Sequence, residues 1–107
     1  MPSAEVSNMI PHVQRFFAKH PVKRAYLFGS CSRGEETAKS DVDILVDFDK
    51  TQPIGLFQYV DMKLELQDLL HREVDLVETN ELLPFAQATA NRDKILIYER
   101  AKVASRN

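Results

Sequence analysis

The apolar positions of this chain fall into stretches of different period, and each period names an element. Val6, Met9, Ile10, Val13, Phe16 and Phe17 recur at helical spacing and mark a first amphipathic helix. Pro11 interrupts the pattern, so the helix is expected to start just before it. Ser7 or Asn8 would then cap it, and Pro11 would stand in the first turn, where a missing N–H is harmless. His20-Pro21 closes the helix. Arg24 to Phe28 is short, apolar and aromatic and stops at Gly29, as a buried strand does. Gly34 to Ser40 is a polar loop. Asp41 to Phe48 then alternates, with Val42, Ile44, Val46 and Phe48 on one side and Asp41, Asp43, Leu45 and Asp47 on the other. A period of two is a strand.

Pro53 and Gly55 open a second helix over Leu56 to Leu70. Its apolar residues (Phe57, Val60 and Leu64, then Met62, Leu66, Leu69 and Leu70) cover a broad face that is expected to pack on the sheet. Glu73 to Glu78 reads as a third strand, and Leu83 to Arg92 as a third helix with Pro84 in its first turn. Ile95 to Tyr98 is a final strand or a helix end, and length alone does not decide which. The order α-β-β-α-β-α-(β) predicts an α+β domain with a mixed sheet of three to four strands and helices mainly on one side. The dozen or so residues between the first two strands permit either antiparallel or parallel pairing.

A chain of 107 residues is expected to form one domain, spanning residues 1–107, with one core and little surplus stability, which favours a partner or a dimer. Its net charge of −2 gives no general argument for nucleic acid, although Lys19, Lys23 and Arg24 cluster near one end and Arg92, Lys94, Arg100, Lys102 and Arg106 near the other. Cys31 is the only cysteine, so neither an internal disulfide nor a thiolate zinc cluster can form. His12, His20 and His71 are scattered without ligand spacing. The first residues lack the pattern of a signal peptide and no apolar run is long enough to span a membrane, so a cytoplasmic location is expected.

The chemistry concentrates in one stretch. Gly29-Ser30-Cys31-Ser32-Arg33-Gly34 follows a strand, and Ser40-Asp41-Val42-Asp43 opens the next. A glycine directly after a buried strand lets backbone N–H groups approach phosphate oxygens with no Cβ in the way. Ser30 can donate a hydroxyl hydrogen bond and Arg33 a charge-assisted one. Strand residues i and i+2 point the same way, about 6.6 Å apart at the backbone, so the carboxylates of Asp41 and Asp43 can converge on one cation. Mg²⁺ suits such a pair, because it takes one or two carboxylates together with substrate phosphates. Asp75, within Val74-Asp75-Leu76-Val77, would add a third acid from a neighbouring strand.

The run Leu27 to Gly34, together with Ser40-Asp41-Val42-Asp43-Ile44-Leu45-Val46, resembles the signature of the minimal nucleotidyltransferases of the polymerase-beta-like superfamily. The resemblance extends from the first helix to Tyr98. It implies that Gly29 and Ser30, with Arg33 and Ser40, hold the nucleotide. It implies that Asp41 and Asp43 bind Mg²⁺ and that Asp75 ligates metal or activates the attacking hydroxyl. Single-domain members of the family serve as antitoxins to HEPN-type helical ribonucleases and move AMP from ATP to a tyrosine of the toxin. The expected activity is therefore Mg²⁺-dependent nucleotidyl transfer to a partner protein, without a membrane or direct nucleic-acid role. Two rivals stand beside it: a non-catalytic module that neutralises its partner by covering it, and an orphan transferase acting on a small hydroxyl compound.

Overall fold

The computed structural model describes residues 4–29, 41–79, 92 and 94–100. Two helices and four strands are built from them: α1 (Ala4–Phe17), β1 (Val22–Phe28), β2 (Val42–Phe48), α2 (Leu56–Leu70), β3 (Val74–Glu78) and β4 (Ile95–Glu99). The strands form one sheet in the order β3-β2-β1-β4. β1 pairs antiparallel with both β2 and β4, and β2 pairs parallel with β3. The sheet is thus mixed, as expected, and the pairing left open by the sequence is antiparallel. Ile95 to Tyr98 is a strand. The expected third helix lies outside the described residues except for Arg92, which is helical.

α1 begins earlier than the sequence suggests. Pro11 is inside the helix rather than in its first turn. Its side chain is exposed, so water can reach the carbonyl that loses its N–H partner. The apolar stripe overrides the proline because Val6, Val13 and Phe17 are all buried in the core. The helix ends where His20 Nδ1 meets the Phe16 carbonyl at 2.8 Å and the imidazole stacks on the Phe16 ring at 4.3 Å. Pro21 then turns the chain into β1.

One layer of core lies between the sheet and the two helices. Val42, Ile44, Val46, Val74, Leu76, Ala25 and Leu27 face Val13 and Phe17 of α1 and Met62, Leu66 and Leu70 of α2. Only part of the broad apolar surface of α2 is used. Leu56, Phe57 and Leu64 are 72 %, 85 % and 54 % exposed, so the expectation that all of it packs on the sheet is corrected. At 100° per residue Phe57 and Leu64 lie roughly 140° or more round the helix from Met62 and Leu66, and one helix cannot press both stripes on one sheet. α2 is tied to β3 by the Tyr59 hydroxyl, which donates to the Leu76 carbonyl, and by Gln67 Oε1, which accepts from the Val74 N–H at 3.1 Å. It stops at His71, whose φ of 56° is left-handed.

The second face of the sheet carries the polar alternates of β2. Leu45 interrupts them. It is 1 % exposed, flanked in register by Tyr26 and Val77, so the centre of this face is not open to water.

Candidate active site

The register of the ladders decides which polar side chains meet. Asp43 pairs with Phe28 on one side and, in the parallel ladder, with Asp75 on the other. Residues directly in register on neighbouring strands share a face and sit about 4.8 Å apart. Asp43 and Asp75 are therefore neighbours on the face opposite the helices. Asp43 is half-buried and Asp75 exposed. Asp41 immediately precedes β2 and is exposed. The Val42 N–H donates to the Glu73 carbonyl at 2.9 Å, which carries the ladder between β2 and β3 up to this end of the sheet.

Gly29 closes the site from the β1 side. Its φ is +73°, and a Cβ built there would stand 2.3 Å from Oδ2 of Asp43 and 3.2 Å from its Cγ. The carboxylate thus occupies the space that any other residue would need. Both properties, a left-handed backbone and a missing side chain, are demanded at one position. The sequence singled out Gly29 for phosphate approach; the structure adds that it makes room for Asp43.

Farther along β2 the polar row changes character. Arg24 donates through Nε to Glu99 at 2.9 Å and through Nη1 to Asp47 at 3.3 Å. Glu99 first, by its hydrogen bond, holds the Arg24 guanidinium more firmly charged. Asp49 accepts from the Thr51 hydroxyl at 2.6 Å and from the Thr51 N–H at 2.9 Å, and pairs with Arg100 at 3.0 Å. These donors, the Thr51 bonds foremost, lower its carboxyl pKa to about 2. Asp47 and Asp49 are structural anions. The acids of this segment are divided between an end that ties strands together and an end that meets β3 and Gly29. A residue that sequence reasoning did not bring to this face is Lys94, whose Nζ lies 4.4 Å from the centre of the Tyr26 ring. No local signal could have placed it, because the contact exists only once β4 lies beside β1.

Ser30, Arg33 and Ser40 lie outside the described residues. Among the described residues no group of three or more His, Cys, Asp or Glu side chains is close enough to hold a single ion. The acids do not form a ready cage of three. A cation that completes its shell with substrate phosphates and water needs less. Magnesium commonly takes one or two carboxylates, and the register-paired Asp43 and Asp75, with Asp41 two residues before Asp43, fit that requirement.

The mixed sheet thus brings acids on adjacent strand ends next to Gly29. The chain belongs to the polymerase beta nucleotidyltransferase family, whose model matches residues 12–103. It is similar to a candidate protein adenylyltransferase of Methanocaldococcus jannaschii, 36 % identical over 87 residues, which cover 80 % of this chain and 87 % of the relative. It is also 32 % identical over 91 residues to the protein adenylyltransferase MntA of Thermococcus cleftensis, covering 85 % of this chain and 90 % of that one. Among solved structures, a candidate minimal nucleotidyltransferase superposes with a TM-score of 0.73 at 32 % identity, over 89 % of this chain and 95 % of that one. A complex of a tri-AMPylated HEPN toxin with its MNT antitoxin from Shewanella oneidensis shares the fold, with a TM-score of 0.67 at 16 % identity over 89 % of this chain and 73 % of that one. The chain is an enzyme of the nucleotidyltransferase class. No helix among the described residues is long and apolar enough to cross a membrane.

Proposed function

We propose that this chain is a protein adenylyltransferase that moves AMP from ATP to a hydroxyl, a tyrosine in the family pattern, on a HEPN-type toxin and so acts as its antitoxin. The observation that carries the reading is the register that sets Asp43 beside Asp75 with Gly29 packed against the Asp43 carboxylate. The adenylyltransferase relatives and the AMPylated toxin complex support the donor, the acceptor class and the partner.

In this reading Gly29, with Ser30, Arg33 and Ser40, holds the triphosphate by backbone and side-chain donors. Asp41 and Asp43 would hold Mg²⁺, which, when bound, neutralises phosphate charge and steadies the developing pyrophosphate. Asp75 accepts the proton of the acceptor hydroxyl. The hydroxyl oxygen bonds to the α-phosphorus in line, the bond between that phosphorus and the bridging oxygen breaks, and pyrophosphate leaves. Positioning and charge neutralisation supply the rate.

The test is incubation with ATP labelled at the α-phosphate, Mg²⁺ and the co-purified helical partner, followed by intact-mass analysis. Wild type should add AMP units to the partner. Asp43→Asn should lower transfer by at least about 10²-fold, in line with the loss of one preorganised charged group, while its circular dichroism stays unchanged. A folded wild type that binds the partner and transfers nothing rejects catalysis. The non-catalytic antitoxin then stands, and Asp43→Asn would still protect cells.

A further inference from the structure

Two stripes on the helix layer are left over by the core. The first is a groove of about 380 Å³ where α1 meets the end of α2, lined by His12, Arg15 and Lys19 with Phe16, Ala18 and Leu69. Its polar members are cationic or neutral. Arg15 Nη2 lies 2.9 Å from His12 Nδ1, and among the described residues no carboxylate pairs with Arg15 or Lys19. The second stripe is on α2. At 100° per residue, Phe57, Asp61, Leu64, Glu65 and Asp68 fall within an arc of roughly 100°. All five are exposed, Phe57 by 85 % and Leu64 by 54 %. Leu69 belongs to the groove and lies roughly 40° round the helix from Glu65, so the basic groove and the acidic stripe share a border.

We propose that this chain self-associates through its helix layer, with the acidic and apolar stripe of one copy seated on the basic and apolar groove of a second. The two surfaces are complementary in charge, each carries apolar residues for the desolvated centre, and both are on one chain. Because they lie side by side, a twofold axis along their border pairs each copy's bases with the other's acids and closes the assembly at two. A nucleic acid would be drawn to the groove and repelled by the acids along its edge. The surface lies on the opposite face of the sheet from Asp43, so association leaves that acid-bearing end open, and the proposal does not depend on the catalytic reading.

Sedimentation velocity of the full chain over a wide concentration series tests it. Wild type should pass from monomer to dimer, and 1 M salt, where the Debye length is about 3 Å, should shift it back. Arg15→Glu with Lys19→Glu, and separately Asp61→Lys with Glu65→Lys, should each raise the dimer dissociation constant by about tenfold or more through like-charge contact. An equimolar mixture of the two double variants should dimerise again, as should a chain carrying all four changes. Circular dichroism confirms that each variant is folded. A wild type monomeric at every concentration overturns the proposal, as do folded double variants that associate like wild type or that fail to combine with each other. Loss of partner binding by the groove variant, with a monomeric wild type, assigns the groove to that partner and rejects self-association.

Discussion

A methyl group on Gly29 has nowhere to go. It would overlap Oδ2 of Asp43 at 2.3 Å, and the φ of +73° disfavours it before any contact is counted. Gly29→Ala should therefore cost about 1–2 kcal/mol of stability from backbone strain, read as a lower urea midpoint at unchanged slope. It should also reduce AMP transfer more than that loss explains, because the Asp43 carboxylate must move. Asp49, just past the far end of β2, gives a different signature. Its folded pKa of about 2 lies below the ordinary value of 3.8, so its contribution is present above that ordinary value and is lost as pH falls through the folded value. Asp49→Asn should be less stable than wild type near neutrality, and the gap should close between pH 3.8 and about 2 in denaturant titrations. The sequence singled out Asp43, with Asp41, as a candidate cation ligand and gave Asp49 no role. In the structure Asp49 is held mainly by Thr51 two residues on, with Arg100 51 residues away, whereas Asp43 meets Asp75, 32 residues away, only through the parallel ladder.

At the scale of elements, α2 shows where periodicity stops being informative. Its apolar residues surround most of the helix, and the pattern alone gives no reason to prefer Met62, Leu66 and Leu70 over Leu56, Phe57 and Leu64. The structure buries the first set and exposes the second. Leu66→Ala, at a fully buried position, should cost about 2–5 kcal/mol, whereas Leu56→Gln, at a position 72 % exposed, should stay within about 0.5 kcal/mol of wild type in the same unfolding experiment. The boundaries of α2 were legible because Pro53 and Gly55 precede it and its apolar pattern ends with Leu70. Those of α1 were not, because the local rule that proline starts a helix was overridden by the burial of Val6, one turn earlier.

At the scale of the whole molecule, the sheet order makes β1 and β2 interior and β3 and β4 its edges. Backbone amides of β2, bonded on both sides and backed by α2, should be among the slowest to exchange with deuterium, and those of β4 and of the exposed first turn of α2 much faster. An exchange profile with β4 as protected as β2 would contradict this order. The order is also what makes the site. β3 follows β2 by way of α2 and returns parallel to it, so the N-terminal ends of both strands lie together and carry Asp43 and Asp75 to one face. Meanwhile antiparallel β1 delivers its C-terminal end, and Gly29, to the same place.

By itself the sequence marked the two described helices, the first three strands and the mixed character of the sheet, and named the three acids and the glycine turn as candidates, because alternation, helical period and turn chemistry are written in neighbouring residues. Only the tertiary structure decided that β1 and β2 run antiparallel, that Asp43 stands against Gly29 and beside Asp75, that Asp47 pairs with Arg24, and that one stripe of α2 faces water. Each of those outcomes depends on which strand lies next to which and in what register. That is set by how the whole apolar surface is best buried, and no local stretch of residues contains it.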